Sequence, residues 1–133
     1  MNINVGIFLY NEIEVLDFAG PFEVFSTASR VNSRISENSK NLFTVFTVAE
    51  NQNPIIARGG LRVIPHHSIS DHPEINMLII PGGIVTDELE KDHITSWILN
   101  SSNVAEITAS VCTGAFLLAK AGLSRIFHES ILL

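Results

Sequence analysis

Strongly apolar runs alternate with amphipathic or polar stretches along most of the chain. Four of the runs are rich in β-branched residues and end near Asn, Gly or Pro, which is typical of buried strands. The predicted strands cover residues 3–10, 43–50, 75–83 and 104–111. Because most of these runs are continuously apolar, we expect a sheet that is covered on both faces.

Helical patterns occupy the segments between the predicted strands. Gly20 and Pro21 indicate the start of a first helix, whose apolar stripe includes Phe22 and Phe25. The other predicted elements are a polar loop at 32–40, a hairpin at 54–65 that turns at Gly59 and Gly60, a helix at 87–102, and a helix at 113–122 with Gly122 at its C-cap. This alternation predicts an α/β fold with a mainly parallel sheet.

The composition of the chain argues against several functions that an α/β protein could have. The 133 residues suit one domain, 1–133, and 46% hydrophobic residues suit a doubly covered sheet. The net charge of −6 and the scattered Lys and Arg argue against a nucleic-acid surface on this chain. No apolar run reaches the length of a membrane span, and the single cysteine and the absence of a basic leader predict a reducing, cytoplasmic location.

The only cysteine, Cys112, lies where a predicted strand meets a predicted helix. Its neighbours are small, among them Ala109, Ser110, Thr113 and Gly114, as a tight strand-to-helix turn requires. A cysteine there is either packing material or a nucleophile. If it is a nucleophile, we expect the start of the helix to favour the thiolate and to lower the thiol pKa.

Two further candidate features follow other predicted strands. In a parallel sheet the carboxyl ends of the strands share one edge, where ligands bind. Asp17 after the first strand is either a helix N-cap or a carboxyl group that contacts the thiol and exchanges a proton with substrate. The Pro81–Gly83 segment is either an ordinary turn or, with the amide of Thr113, a source of N–H groups for a developing oxyanion.

The five histidines do not form a recognised metal-binding pattern. His66, His67 and His72 lie with Asp71 in a segment rich in turn residues, which favours a solvated loop over a metal site. His93 is predicted on the polar face of a helix, and His128 lies in a tail that the pattern does not place. We therefore predict neither a metal ion nor a cofactor.

Three segments, in their order along the chain, resemble the ThiJ/PfpI superfamily of class I glutamine amidotransferase-like proteins. They are NVGIFLYNEIEVLDFAGPFEVF, INMLIIPGG and ASVCTGAFLLAKAGL, and together they extend from Asn4 to Leu123. The resemblance is to the branch that contains isonitrile hydratases and the N-terminal domains of certain AraC-type regulators. It implies a flavodoxin-like three-layer sandwich.

The resemblance also implies roles for particular residues. Cys112 matches the nucleophile at the strand-to-helix turn, and Asp17 matches the acidic residue whose carboxyl group contacts that sulfur. Many superfamily members carry Glu at this position, whereas the hydratase-like branch carries Asp. Gly83 and Thr113 match residues whose amides face the substrate. Homodimers without a metal are typical of the family.

The end of the chain departs from the family pattern. Members continue into another strand, often with the sequence TTHW, whereas this chain continues as a divergent tail at 123–133. The resemblance therefore implies a sheet that is truncated at its C-terminal side, and His128 receives no role. The apolar residues of the tail and an incompletely covered edge lead us to expect self-association or loose packing.

The sequence thus predicts a cysteine-dependent hydratase or hydrolase that acts on a small electrophile such as an isonitrile. In this hypothesis Cys112 attacks the substrate, Asp17 moves the proton, and the amides of Gly83 and Thr113 stabilise charge. The alternatives are a ligand- or redox-sensing domain of the AraC-regulator type, or an inactive truncated remnant. The expected partners are a small molecule and a second copy of the chain, with neither nucleic acid nor membrane.

Overall fold

A computed structural model describes residues 2–36 and 42–123 of the chain. Its strands and helices alternate, as the sequence predicted. In chain order the elements are β1 (Ile3–Leu9), α1 (Val15–Ile35), β2 (Phe43–Ala49), β3 (Ile55–Ile56), β4 (Arg62–Val63), β5 (His67–Ser68), β6 (Met77–Ile80), α2 (Thr86–Leu89), α3 (Asp92–Val104), β7 (Ile107–Ser110) and α4 (Gly114–Lys120).

Five strands form one sheet in the order β5-β2-β1-β6-β7, and every pairing within it is parallel. Val5 at the centre of β1 lies opposite Val45 on one side and Met77 on the other. The connection from β1 through α1 leads to one side, whereas the connection from β6 through α3 leads to the other. Because such crossovers are right-handed, the two helices cover opposite faces. The predicted flavodoxin-like α/β fold is confirmed.

The first helix begins earlier than the sequence predicted and ends later. It starts at Val15 rather than near Gly20, includes Pro21, and continues to Ile35 through residues that were predicted to be a loop. Phe18, in the first turn, is buried in the core, and this packing favours the earlier start. Pro21 removes only one helical hydrogen bond, the one that its N–H would donate to the Asp17 carbonyl.

Other boundaries also differ from the prediction. The helix expected over 87–102 is divided into α2 and α3 by Lys91, whose backbone is extended at φ −96° and ψ 99°. Since α3 extends to Val104, strand β7 is shorter than predicted. The segment at 66–72, predicted to be a loop, contains the edge strand β5. The hairpin is confirmed as the antiparallel pair β3–β4.

The core lies between the sheet and the helices on both faces. The largest side chains that are fully buried include Phe8, Leu78, Ile94, Ile98, Leu117 and Leu118. Strand β7 is an edge strand, yet only Ile107 of its four residues is exposed. The tail from Ser124 onward lies outside the described residues, so the expectation about its packing stays a prediction. Within the described residues, no helix combines the length and the apolarity that crossing a bilayer requires.

Candidate functional site

Cys112 lies in a strained turn at the carboxyl end of β7. Its φ is +49°, in the left-handed region that residues with a side chain rarely adopt, and its side chain is exposed. Such a conformation costs about 1–2 kcal/mol and persists only where the surrounding structure enforces it. The predicted strand-to-helix elbow is confirmed, and the reading of Cys112 as buried packing material is wrong.

The close approach of α4 to β6 enforces this turn. A Cβ atom on Gly114, the first residue of α4, would overlap the carbonyl oxygen of Ile80 and lie 2.9 Å from the carbonyl oxygen of Pro81. Glycine therefore lets the start of the helix pack directly on the backbone at the end of β6. This contact fixes the position of Cys112 two residues earlier.

Asp17 is the third residue of α1 and is directed at the turn after β6. Its Oδ2 accepts a hydrogen bond from the backbone N–H of Gly82 at 3.2 Å. The N-cap residue is Glu14, so the alternative that Asp17 caps the helix is wrong. The loop before α1 is held in place by backbone hydrogen bonds from Glu14 to Gly82, at 2.9 Å, and from Ile84 to Glu12, at 3.0 Å.

Gly82 lies between the aspartate and the turn that carries the cysteine. A Cβ atom at this position would lie 2.8 Å from Asp17 Oδ2 and 2.9 Å from both the Thr113 nitrogen and the Val111 carbonyl oxygen. Only a residue without a side chain allows these three groups to approach so closely. Gly82 belongs to the candidate Pro81–Gly83 segment of the sequence, but a particular role was predicted only for Gly83.

The Asp17 carboxylate controls the electrostatics of the thiol. Its negative charge is the largest of the causes that raise the pKa of Cys112 above the ordinary value. Desolvation, a hydrogen bond with Asp17 and the charge of Glu14 raise this pKa further. The sequence-based expectation of a lowered pKa is therefore wrong, because the nearby Asp17 carboxylate disfavours the charged thiolate.

Thr113 connects the cysteine turn to the turn after β6. Its Oγ1 accepts a hydrogen bond from the Gly83 N–H at 2.9 Å and donates one to the Gly83 carbonyl oxygen at 2.8 Å. The Gly83 amide is thus already engaged. By contrast, the backbone N–H groups of Cys112 and Thr113 donate to no acceptor among residues 2–36 and 42–123.

Tyr10 is a supporting residue that the sequence pattern did not single out. It is 3% exposed, and its hydroxyl donates to the Pro81 carbonyl oxygen at 2.7 Å. Burial, followed by the charges of Asp17 and Glu88, raises the pKa of this phenol. The sequence could have indicated Tyr10, because a tyrosine at the end of a strand predicted to be buried needs a hydrogen-bond partner for its hydroxyl.

The histidines have structural contacts. His66 Nδ1 accepts a hydrogen bond from the Thr47 N–H at 2.9 Å, although the His66 residue remains exposed. His72 Nε2 accepts one from Trp97 Nε1 at 3.0 Å. His93 Nε2 lies 3.2 Å from a carboxylate oxygen of Glu50. In the described part of the chain, no three His, Cys, Asp or Glu side chains are arranged to hold a metal ion. His128 lies outside it.

An exposed cysteine in a strained strand-to-helix turn, at the carboxyl edge of a parallel sheet, defines a class of flavodoxin-like α/β proteins. The profile of the DJ-1/PfpI family matches residues 3–126 of the sequence. The chain therefore belongs to the DJ-1/PfpI family, and the resemblance noted in the sequence is confirmed.

Individual relatives agree with this assignment. The chain is 27% identical over 124 residues to an isonitrile hydratase of Pseudomonas putida, an alignment that covers 92% of this chain and 49% of that protein. It is 22% identical over 121 residues to the HTH-type transcriptional regulator GbdR of Pseudomonas aeruginosa, covering 90% and 31% respectively. The chain thus spans half or less of the length of these relatives.

A solved structure shows the same fold. A ThiJ/PfpI family protein from Pseudomonas syringae superimposes with a TM-score of 0.77 at 20% identity, covering 92% of this chain and 47% of the other. At this identity the likeness concerns the fold alone. It supports the arrangement of the strands that bring Asp17, Gly82 and Cys112 together.

Proposed function

We propose that the chain carries a cysteine-dependent hydratase site for a small electrophile, with an isonitrile as the first candidate substrate. The observation that carries the proposal is the exposed, strained Cys112, in a turn that packs on the Gly82 backbone to which Asp17 is hydrogen-bonded. Similarity to an isonitrile hydratase supports the choice of substrate class.

The raised thiol pKa favours a mechanism in which a base removes the thiol proton, and Asp17 is the base that we propose. Asp17 accepts the proton as Sγ approaches the substrate. A bond then forms between Sγ and the isonitrile carbon, and protonated Asp17 returns the proton to this carbon. The product of this step is a thioimidate, whose carbon carries both the sulfur and the proton that the thiol lost.

Water completes the reaction. It adds to the thioimidate carbon, one of its protons passes to nitrogen, and the C–S bond then breaks. The remaining proton of the added water returns to sulfur, so an N-substituted formamide leaves and the thiol is regenerated. The net change is the addition of one water molecule.

The backbone around the cysteine supplies donors for the charge that develops. The N–H groups of Cys112 and Thr113, which donate to no acceptor in the described residues, are the donors that we assign to this role. Gly83 instead positions Thr113, because its amide is engaged by the threonine hydroxyl. This differs from the direct role for the Gly83 amide that the family resemblance implies.

The test is turnover of simple alkyl isonitriles by the full chain, followed as formamide formation by NMR. We expect Cys112→Ala to abolish activity and Asp17→Asn to lower it by a factor of about 10² or more. Glu23→Gln, which removes an exposed carboxylate from the same helix, should have no effect. Activity in the Cys112→Ala variant would refute the proposal.

A second candidate function is ligand sensing, which the similarity to the regulator GbdR favours. The same edge of the sheet would then bind a small molecule without turnover. The two functions separate in one experiment: saturable binding of an isonitrile or a related ligand without formation of formamide supports sensing. Binding that persists in Cys112→Ala would show that this function does not need the thiol.

A further inference from the structure

A polar cavity of about 280 Å³ lies beside the cysteine site but does not include it. It opens at the carboxyl ends of β1 and β2 and is closed on one side by α2 and the residue Lys91. Its polar lining residues include Tyr10, Asn11, Glu50, Asn51, Glu88 and Lys91. Cavities at this edge of a parallel sheet are the usual position of a small ligand.

Glu88 is the unusual group in this lining. Its side chain is only 5% exposed, and its Oε1 accepts a hydrogen bond from Lys91 Nζ at 2.9 Å. Its Oε2 is buried and accepts no hydrogen bond from the described residues. A buried carboxylate oxygen without a donor costs free energy, so native proteins rarely leave one unsatisfied.

The charges around Glu88 favour a positively charged occupant. Lys91 Nζ also donates to Glu50 Oε1 at 2.8 Å, so one ammonium group is shared by two carboxylates of the same cavity. The lining groups Glu50, Glu88 and Lys91 thus carry one excess negative charge between them, while His93, 3.2 Å from Glu50, lies outside the lining. A donor for Glu88 Oε2 that also carries a positive charge would satisfy both the hydrogen bond and the charge.

We propose that this cavity binds a small molecule with a protonated primary amine, which donates an N–H to Glu88 Oε2. The side-chain oxygens of Asn11 and Asn51 lie on the same lining, although both already accept a backbone N–H. The inference does not depend on the chemistry of Cys112, because none of Cys112, Asp17 and Thr113 lines the cavity.

Tyr10 connects the cavity to the cysteine site and provides a reporter. It lines the cavity, while its hydroxyl holds Pro81, the residue before the Gly82 that binds Asp17. It is also the only tyrosine in the chain. Incorporation of 3-fluorotyrosine therefore gives a single ¹⁹F resonance at the cavity wall.

The experiment is a titration of the full, fluorotyrosine-labelled chain with methylammonium chloride at constant ionic strength. We expect a saturable shift of the ¹⁹F resonance. Tetramethylammonium, which has the same charge but no N–H group, should bind at least tenfold more weakly. Glu88→Gln should also weaken methylammonium binding at least tenfold, because the glutamine side chain removes the charge and places its own N–H groups in the cavity. Glu90→Gln is the matched control, because this neighbouring carboxylate is exposed and does not line the cavity.

Three results would overturn the proposal. The first is the absence of a saturable shift, which would mean that water alone satisfies Glu88. The second is equal binding of methylammonium and tetramethylammonium. The third is unchanged methylammonium binding in Glu88→Gln. If Glu88→Gln loses the near-ultraviolet dichroism of the folded chain, the comparison of methylammonium and tetramethylammonium on the unsubstituted chain decides the question by itself.

Discussion

Replacing Thr113 by valine tests whether the cysteine turn and the turn after β6 are held together by one hydroxyl group. Valine has nearly the shape of threonine and keeps the β-branched contact with the surrounding backbone. It removes the hydroxyl that accepts from the Gly83 N–H at 2.9 Å and donates to the Gly83 carbonyl at 2.8 Å. We expect the variant to fold and to be less stable.

The size of the effect follows from these two hydrogen bonds. Each contributes about 0.5–1.5 kcal/mol net to folding. Because Thr113 is only half-buried, water reaches part of the Gly83 backbone in the variant, and the lower part of the range applies. We therefore expect the free energy of unfolding to fall by about 1–2 kcal/mol. With a urea slope of about 2 kcal/mol/M, the unfolding midpoint should fall by about 0.5–1 M.

Urea unfolding, followed by far-ultraviolet dichroism, measures this change. Thr113→Ser keeps the hydroxyl and should retain most of the stability. Thr95→Val is the matched control, because that half-buried threonine donates a single, longer bond of 3.2 Å to Asp92, and it should change stability by less than about 0.5 kcal/mol. If Thr113→Val matches the unsubstituted chain, the hydroxyl does not hold the two turns together.

Three further predictions concern the packing at Gly114, the contact between Trp97 and His72, and self-association of the chain. Gly114→Ala should destabilise the chain by about 1–3 kcal/mol, because the new Cβ overlaps the Ile80 carbonyl; a urea midpoint at or above that of the unsubstituted chain would contradict the close approach. His72→Leu should change Trp97 fluorescence, because the indole N–H loses its acceptor, and an unchanged emission spectrum would refute this. The apolar groove flanked by exposed Leu16 and Val24 should promote self-association. A double variant, Leu16→Glu with Val24→Glu, should therefore scatter less light at high concentration. Equal scattering would show that the groove does not promote self-association.

The main strands and the position of the cysteine turn could be predicted because both depend on local sequence. Continuous apolar runs identify strands buried on both faces, and small residues around Cys112 identify a tight turn. Helix boundaries were less predictable, because tertiary packing decided them. The burial of Phe18 favours the early start of α1, although Gly20 and Pro21 are common start signals.

The electrostatics of the site could not be predicted from the pattern around the cysteine. A helix start one or two residues after Cys112 suggests a lowered thiol pKa, but the carboxylate that raises it lies 95 positions earlier in the sequence. The burial of Glu88 could not be predicted for a similar reason. A glutamate in a polar helical segment is usually exposed, and only the tertiary packing of α2 buries it.

The pH dependence of Cys112 alkylation tests most directly whether Asp17 and Cys112 form one functional unit. Asp17→Asn should lower the midpoint of iodoacetamide alkylation, because it removes the negative charge that favours the protonated thiol. Glu14→Gln should lower it less, and Asp92→Asn, on a distant helix, should leave it unchanged. A midpoint in Asp17→Asn at or above that of the unsubstituted chain would contradict the account.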